Sequence, residues 1–311
     1  MVLACLWVGR NNHFDKIYAT STPLTVGLPA MLAKKLFGTP YVFEVRDLWP
    51  EFPIQVGAIK SKKVAAILRW LERKIYKNAL EIVALSPGMR DGVIRVSPNS
   101  KVSVIPNMSK PKEFRLEIDK DRLAQKYGVS ARSFKLVYFG TMGVANNIMH
   151  LLSEARFSLE SGFNFQFVLV GDGAVELEAK KYAEKYRLHN VFFLGRRNMA
   201  EVVEIVNLCD VSLVSFLSLP ILETNSPNKF FDTLSAAKPT LINIDGWIRD
   251  LVEEHECGYF VDPNISGAIV DKMSLYANDQ SRYCLHSDNA FELATSQFDR
   301  EFLCGRVVEL L

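Results

Sequence analysis

Cysteine is scarce in this sequence, and long apolar runs are missing. Five cysteines are scattered over 311 residues, and no two of them have Cys-x-x-Cys spacing. This excludes a disulfide-stapled miniprotein, argues against a structural zinc site and indicates a reduced, cytosolic compartment. The apolar run before Arg10 is too short to cross a bilayer and lacks the basic start of a signal peptide. We expect a buried helix there rather than a membrane anchor.

A strong charge of one sign is also missing. Lysine and arginine total 37 against 35 acidic residues, which leaves a net charge of +2. A nucleic-acid-binding domain would normally be more basic, so we expect no nucleic-acid partner. Neither the five histidines nor the carboxylates have the spacing of metal ligands, and we therefore expect no metal and no cofactor.

What the sequence does contain is ten short apolar runs separated by helical patterns. The runs are continuous rather than alternating, which is typical of strands buried on both faces of a parallel sheet. Strands that alternate with helices indicate a doubly wound α/β fold. The predicted strands are residues 16–21, 41–45, 81–86, 101–106, 134–140, 165–171, 191–195, 211–216, 239–244 and 258–262.

A polar, proline-containing stretch at residues 106–129 divides the strands into two groups. At this length a single core usually splits, so two domains are expected. We predict an N-terminal Rossmann-like domain over residues 1–108 and a second one over 109–287. A C-terminal helix over 288–311 is expected to pack back toward the N-terminal domain.

The densest group of polar, ligand-binding residue types is ETNSPNKFFDTLSAAKP, residues 223–239. Ser226 suits an N-cap and Pro227 suits the first turn of a helix, whose free N–H groups would favour an anion. Lys229 in the same turn completes a site for a diphosphate. Asp232 is placed to accept hydrogen bonds from sugar hydroxyls, and Glu223 could hold a second sugar. The alternative is an ordinary helix start with a solvated lysine and a surface acid.

Charged side chains also follow a buried strand of the first domain. The carboxyl ends of strands line the ligand cleft in open α/β sheets, which makes such groups functional candidates. A structural ion pair between Arg46 and Asp47 is the alternative. The acceptor-side candidates are Arg46, Asp47, Trp49, Glu51 and Ser86.

Residues 60–77 form an amphipathic pattern with seven cations and one acid. An apolar stripe runs along one side, and two amphipathic aromatic residues accompany it. Such a helix could dock on anionic lipid, although an ordinary core-facing helix with a solvated basic face is the alternative. The membrane-facing candidates are Lys63, Arg69, Trp70 and Arg73.

Two motifs carry a family resemblance. SPNKFFDTLSAAKP, residues 226–239, resembles the donor-site helix of the retaining glycosyltransferases of family 4, or group 1, which have the GT-B fold. VFEVRDLWPEFP, residues 42–53, is similar to a motif of the branch that contains bacterial O-antigen and capsule N-acetyl-L-fucosamine transferases. The resemblance implies two Rossmann-like domains that face a cleft, with the nucleotide-sugar held by the C-terminal one.

The resemblance also implies roles for individual residues. Lys229 would bind the departing nucleoside diphosphate, and Asp232 would hold the ribose hydroxyls. The donor-sugar glutamate of the family aligns with Thr224, so that Glu223 lies one residue early. Asp47 would orient the acceptor hydroxyl or act as its base. The implied donor-binding set is Gly140, Gly143, Gly171, Arg196, Ser226, Pro227, Asn228, Lys229 and Asp232.

The glycine-rich turn after Phe139 lacks the cations that relatives carry there, and Arg196 is the candidate for a second cation. A salt-bridged surface arginine is the alternative for Arg196. We expected backbone N–H groups at Gly140 and Gly143 to approach phosphate instead.

The implied activity is transfer of a sugar from a nucleotide-sugar, expected to be a UDP-sugar, to a hydroxyl of a lipid-diphosphate-linked saccharide. The implied location is the cytoplasmic face of the inner membrane, as a peripheral protein. By the same resemblance about 100 N-terminal residues, the size of a small domain, are missing. A partner chain could supply them. The alternatives are a non-catalytic remnant or half of a split enzyme that binds a nucleotide or a partner, and, as a lesser one, a UDP-sugar 2-epimerase.

Overall fold

The computed structural model describes residues 14–311, and these residues form two compact units. The helix expected at the start of the chain, with Cys5 and His13, lies outside the described residues. Unit 1 comprises the chain up to Asn107 together with Leu219–Ser226 and Glu301–Leu311. Unit 2 comprises Met108–Ser218 and Pro227–Arg300. The segment that carries Glu223 thus belongs to unit 1, whereas Lys229 belongs to unit 2.

Unit 1 is a parallel sheet of four strands in the order β1-β2-β3-β4. The strands are β1 (Ile17–Thr20), β2 (Tyr41–Val45), β3 (Glu81–Ala84) and β4 (Val102–Val104). The helices are α1 (Gly27–Phe37), α2 (Glu51–Gln55), α3 (Lys62–Asn78) and α4 (Pro87–Val96). Residues of the last helix, α14 (Arg300–Val308), join this unit: Arg306 donates to the Val104 carbonyl, and Lys16 Nζ donates to the Leu310 carbonyl.

Unit 2 is a parallel sheet of six strands in the order β10-β9-β8-β5-β6-β7. The strands are β5 (Lys135–Phe139), β6 (Gln166–Val170), β7 (Val191–Gly195), β8 (Val211–Val214), β9 (Thr240–Ile242) and β10 (Gly258–Phe260). The helices are α5 (Pro111–Phe114), α6 (Lys120–Tyr127), α7 (Ile148–Glu160), α8 (Glu176–Lys185), α9 (Met199–Leu208), α10 (Asn228–Ser235), α11 (Trp247–Glu254), α12 (Ala268–Asn278) and α13 (Gln280–Ser296).

All ten apolar runs form strands, and the expected parallel α/β architecture is confirmed. Burial on both faces explains why the runs do not alternate. In β5, Leu136 and Tyr138 face one apolar core, and Val137 and Phe139 face the core on the opposite side of the sheet. Because all six strands of unit 2 are parallel, the loops that follow them lie at one edge of that sheet.

Four helices, α2, α4, α5 and α6, lie where the sequence pattern predicts no helix. Helix α4 is capped by the Ser86 hydroxyl and begins at Pro87, but two glycines mask its pattern. Helix α6 lies inside the polar stretch that divides the two groups of strands; Asp119 caps it, and Gly128 ends it at φ +69°. The helix predicted over 288–311 is interrupted, since α13 ends at Ser296 and α14 begins at Arg300.

Among the helices of residues 14–311, none combines the length and the apolar character that crossing a bilayer requires.

Candidate active site

Helix α10 begins at Asn228, directly after Pro227, at the edge of the unit 2 sheet where the strands end. The prediction that Ser226 caps this helix is wrong. Pro227 occupies the cap position and offers no side-chain hydrogen bond, while the Ser226 hydroxyl accepts from the Asn107 N–H at 3.4 Å within unit 1. The first N–H groups of α10 therefore lack a side-chain cap and favour a negatively charged ligand.

Lys229 lies in the first turn of α10, where a neutral hydroxyl and two aromatic rings surround its ammonium. Its Nζ donates to the Tyr138 hydroxyl at 3.0 Å and lies 4.2 Å from the centre of the same ring. The Phe216 ring lies 5.8 Å away. Burial lowers the pKa of Lys229 to about 7, and no charged side chain of the described residues contributes to this shift. An anion that enters here would therefore gain an ammonium without having to displace a carboxylate.

The turn after β5 approaches this lysine closely because Gly140 has no side chain. A methyl group on Gly140 would lie 3.2 Å from Lys229 Nζ. The turn after β6 packs against the same backbone: at Gly171, φ is +128°, and a methyl group there would lie 2.0 Å from the Gly140 carbonyl oxygen. These two glycines are therefore needed for the contact between the two turns and for the room around Lys229.

The expectation that the N–H groups of Gly140 and Gly143 approach phosphate finds no support in their hydrogen bonds. The Gly140 N–H donates to the Val170 carbonyl at 2.9 Å, as part of the sheet. The Gly143 N–H donates to Asn146 Oδ1 at 3.3 Å. Both donors are thus already used inside unit 2.

Asp232 lies one turn further along α10 and is mostly buried. Burial raises its pKa to about 7, although nearby Lys110 acts in the opposite direction. Its charge is therefore poised to change near neutral pH. In the carboxylate form it would accept hydroxyl hydrogen bonds, as the sequence predicted for a ribose.

Arg196 is exposed and follows β7 at the same edge of the sheet as the glycine turns. Its neighbour is the arginine that forms the surface salt bridge: Arg197 contacts Glu201 at 3.2 Å and donates to the Leu194 carbonyl. Within residues 14–311 no ion pair of Arg196 is formed. The salt-bridge alternative thus applies to Arg197, and Arg196 remains a candidate cation for the ligand.

In unit 1, Asn107 connects two of the predicted site segments, and the sequence did not single it out. Its Oδ1 accepts from Arg46 at 3.1 Å, and its Nδ2 donates to the Ser226 carbonyl. Arg46 also pairs with Glu44 at 3.7 Å. Arg46 is therefore held by Glu44 and Asn107, and the alternative of an ion pair with Asp47 is not what the structure shows.

Asp47 lies in the turn after β2, and its carbonyl accepts from the Trp49 N–H at 2.9 Å. Burial raises its pKa to about 6, and Arg46 acts in the opposite direction. A carboxyl group with this pKa is a suitable proton acceptor near neutral pH.

The hydroxyl of Ser86 is used for hydrogen bonds within unit 1. Its hydroxyl caps α4 through the Met89 N–H at 3.0 Å and donates to the Thr224 carbonyl at 2.5 Å. Ser86 is fully buried, so this hydroxyl is occupied. Together with Asn107 it fastens the segment Leu219–Ser226, which contains the partly exposed Glu223 in a short 3-10 helix, to unit 1.

The structure brings together two residues that the sequence assigned to different surfaces. Glu51, predicted on the acceptor side, forms a salt bridge of 2.7 Å with Arg69, predicted to face a membrane. Along α3, Leu71 and Ile75 are buried, as expected for a core-facing stripe. Ile67 and Trp70, however, are 64% and 58% exposed. Lys63 and Arg73 are exposed as well.

Tyr138 was also missed as a site residue. It was visible only as one letter of an apolar strand, because the sequence does not reveal which strand residue contacts Lys229. For Asn107, the signal was its position directly after a predicted strand, at the end that lines the site. Within residues 14–311 no group of His, Cys, Asp and Glu side chains is arranged to hold a metal ion.

Comparisons with known proteins identify the family. Residues 3–108 match the family model described as a glycosyl transferase 4-like domain, and residues 119–292 match the model of the glycosyl transferases group 1. The chain belongs to the group 1 glycosyl transferases. This confirms the family-level resemblance that the motifs indicated.

Individual relatives are more distant. The chain is 26% identical over 262 residues to a probable glycosyltransferase, WbjE, of Pseudomonas aeruginosa, covering 82% of this chain and 64% of the relative. It is 20% identical to an alpha-D-kanosaminyltransferase of Streptomyces kanamyceticus, covering 86% of this chain and 69% of the relative. The chain thus spans about two thirds of the length of these two relatives.

Solved structures share the fold. The structure of HepE from Anabaena with UDP and glucose has a TM-score of 0.79 at 20% identity and covers 98% of this chain and 80% of its own. A sucrose-phosphate synthase from Thermosynechococcus elongatus has a TM-score of 0.78 at 15% identity, with 99% and 76% covered. The GT-B fold class predicted from the sequence is confirmed.

Proposed function

We propose that this chain is a retaining glycosyltransferase that moves a sugar from a UDP-sugar to an acceptor hydroxyl. The observation that carries the proposal is the partly buried Lys229 at the uncapped start of α10, with no acid among the described residues to neutralise its ammonium. Such a pair of positive features matches a diphosphate. The family membership and the UDP complexes of HepE support the choice of nucleotide.

In the proposed reaction, the bond between the anomeric carbon and the diphosphate breaks, and negative charge accumulates on the leaving oxygen. Lys229 and the first N–H groups of α10 stabilise this charge, with Arg196 as a further cation. Asp232 accepts hydrogen bonds from the ribose. The sugar becomes oxocarbenium-like, and the acceptor hydroxyl adds to the same carbon and loses its proton. We propose Asp47 as the group that orients or deprotonates that hydroxyl, and Glu223 as a contact of the donor sugar.

The first test is calorimetric titration with UDP. We expect micromolar binding to the wild-type chain and much weaker but still measurable binding in Lys229→Met, which keeps the side-chain volume but removes the charge. Lys238→Met is the matched control, because burial also lowers the pKa of Lys238, to about 8, but its Nζ donates to the Asn207 carbonyl, away from the start of α10. Equal losses in both variants, or no binding of UDP by the wild type, would contradict the proposal.

A second measurement separates transfer from simple nucleotide binding. Purified chain with a UDP-sugar should release UDP when an acceptor hydroxyl is supplied, and Asp47→Asn should slow this step without changing the affinity for UDP. UDP binding without any turnover would support the alternative of a non-catalytic or split protein.

For the acceptor we propose a lipid-diphosphate-linked saccharide of a bacterial surface polysaccharide, used at the cytoplasmic face of the membrane. What supports this is the exposed side of α3, where Ile67 and Trp70 lie among cations. Apolar and aromatic side chains enter the headgroup region, and each nearby cation adds about 1 kcal/mol on anionic lipid. Arg69 contributes less than predicted, because Glu51 neutralises it.

Vesicle sedimentation tests this surface. The double variant Lys63→Glu, Arg73→Glu should bind vesicles of phosphatidylglycerol and phosphatidylcholine at least tenfold more weakly than the wild type. Lys181→Glu makes the same kind of charge change at an exposed position of α8 and should bind normally. Unchanged binding in the double variant would remove the membrane from the proposal and leave UDP binding untouched.

A partner segment is the last element of the proposal. Strand β1 pairs with β2, and no strand of the described residues pairs with its other edge. We propose that a further strand from a partner chain covers this edge, since exposed strand edges pair readily. Light scattering should then show a complex when a candidate partner chain is added to the purified chain, and a monomer without it.

A further inference from the structure

We infer that Tyr138 is a positioning residue for Lys229: its hydroxyl holds the Lys229 ammonium beside the turn that contains Gly140. Tyr138 is the next-to-last residue of β5, two residues before Gly140, and is completely buried. The inference rests on the proposed function only for its consequence for UDP, because the contact itself is a property of unit 2 alone.

The hydrogen bonds give Tyr138 a defined orientation. The hydroxyl donates its proton to the Thr141 carbonyl at 2.6 Å, which leaves a lone pair to accept from Lys229 Nζ at 3.0 Å. Burial raises the pKa of Tyr138 well above its ordinary value, so the proton remains available for the Thr141 carbonyl throughout the physiological range. Tyr138 thereby connects the turn that contains Thr141 with the lysine of α10.

The same contact determines how much charge Lys229 keeps. Burial disfavours the ammonium, and no charged group of the described residues acts on its pKa. The groups that face Nζ are the Tyr138 hydroxyl and ring, the Phe216 ring and the backbone of Gly140. The Tyr138 oxygen is the acceptor in this set that can stabilise the charged form.

The contact is also suited to release. A neutral hydroxyl holds a lysine less strongly than a carboxylate does, so an anionic ligand can take over the ammonium while Tyr138 keeps its bond to Thr141. The lysine is thus oriented before the ligand arrives, and less conformational entropy is lost on binding.

The first experiment needs no ligand. In the unliganded chain, an NMR titration of lysines labelled with ¹³C at Cε gives the pKa of Lys229, assigned by its disappearance in Lys229→Met. Tyr138→Phe keeps the ring and removes the acceptor, so the titration of Lys229 should move to lower pH. Tyr283→Phe is the matched control, because the Tyr283 hydroxyl also donates to a backbone carbonyl, that of Asp210 at 3.1 Å, and should leave Lys229 unchanged. An unchanged titration in Tyr138→Phe overturns the inference.

A double-mutant cycle with UDP then separates action through Lys229 from a general loosening of the turn. Tyr138→Phe alone should weaken UDP binding about tenfold above pH 7, because a Lys229 pKa that is about one unit lower leaves about a tenth as many charged lysines in the free chain. In the Lys229→Met background the same change should cost nothing further. An equal cost in both backgrounds would mean that Tyr138 acts through Thr141 and would also overturn the inference. Failure of the wild type to bind UDP would refute the proposed function but would leave the NMR result standing.

Discussion

The affinity of the chain for UDP should fall steeply as the pH rises from 7 to 9. We expect one group to control this pH dependence of the affinity, because burial lowers the pKa of Lys229 to about 7 in the unliganded chain. A bound diphosphate stabilises the ammonium and raises that pKa again. Binding therefore requires a charged lysine, which is present below pH 7 and is lost as the pH rises above this value.

The magnitude follows from proton linkage. Between the pKa of the free chain and that of the complex, each pH unit costs about a factor of ten in affinity, or ~1.4 kcal/mol. From pH 7 to pH 9 we therefore expect the dissociation constant of UDP to rise about 50-fold, because about half of the lysines are already uncharged at pH 7. One proton should be taken up for each UDP bound in the upper part of this range. The terminal phosphate of UDP contributes little, because such groups lose their last proton near pH 6.

Calorimetry in buffers with different ionisation enthalpies measures both quantities. Two variants show which side chain causes the pH dependence of the affinity for UDP. Lys229→Met should bind weakly and show an almost flat profile over the same range. Asp232→Asn removes the other group of α10 whose pKa is near neutrality, about 7, and should keep the steep part of the profile above pH 8.

A constant affinity between pH 7 and 9 in the wild type would refute the reasoning about Lys229. So would a profile of the same steepness in Lys229→Met, because the titrating group would then lie elsewhere.

Three further outcomes test the scaffold around the site. Asn107→Ala should lower the free energy of unfolding by about 1–3 kcal/mol in a urea titration, because it leaves buried partners without hydrogen bonds. Gly171→Ala should destabilise the chain far more than Gly162→Ala, since both have positive φ but a methyl group meets the Gly140 carbonyl only at Gly171, and thermal unfolding ranks the two. In Glu72→Gln, the free energy of unfolding should depend less on pH between pH 5 and 8 than in the wild type. Burial raises the pKa of Glu72 to about 8 in the folded state, so the wild-type free energy of unfolding falls as the pH rises, by up to ~1.4 kcal/mol per pH unit.

The strands of this fold could be predicted because a strand buried on both faces needs a continuous apolar run, and each run is local in the sequence. The start of α10 was predicted to within one residue, since proline at position 227 is typical of the beginning of a helix. Helix α4 could not be found in the same way. Its two glycines lower its helical propensity, and what stabilises it is a cap by Ser86 together with packing in the fold.

The contacts that shape the site could not be predicted, because they join residues that are distant in the sequence. Asn107 forms a hydrogen bond with Ser226, and Glu51 forms a salt bridge with Arg69. Ser226 has the ideal residue type for a cap, yet the fold uses its hydroxyl for Asn107 instead. Residue type and spacing therefore identify which groups can do chemistry, whereas the fold decides which of them are already occupied.

Within unit 2, the groups that contact Lys229 differ from those that contact Lys135 and Lys238. Lys135 is almost completely buried, and its Nζ donates to the Ser133 carbonyl at 2.5 Å and lies 4.0 Å from the Asp210 carboxylate. Lys238 lies on the same side, where its Nζ donates to the Asn207 carbonyl and Asp210 supports its charge. Where a lysine is only structural, the fold thus supplies carbonyl and carboxylate oxygens. At the opposite edge of the same sheet, beside the start of α10, Lys229 has a neutral hydroxyl and two aromatic rings. A cation left with such partners is stabilised fully only when an anion arrives, which is the property that binding and releasing a diphosphate requires.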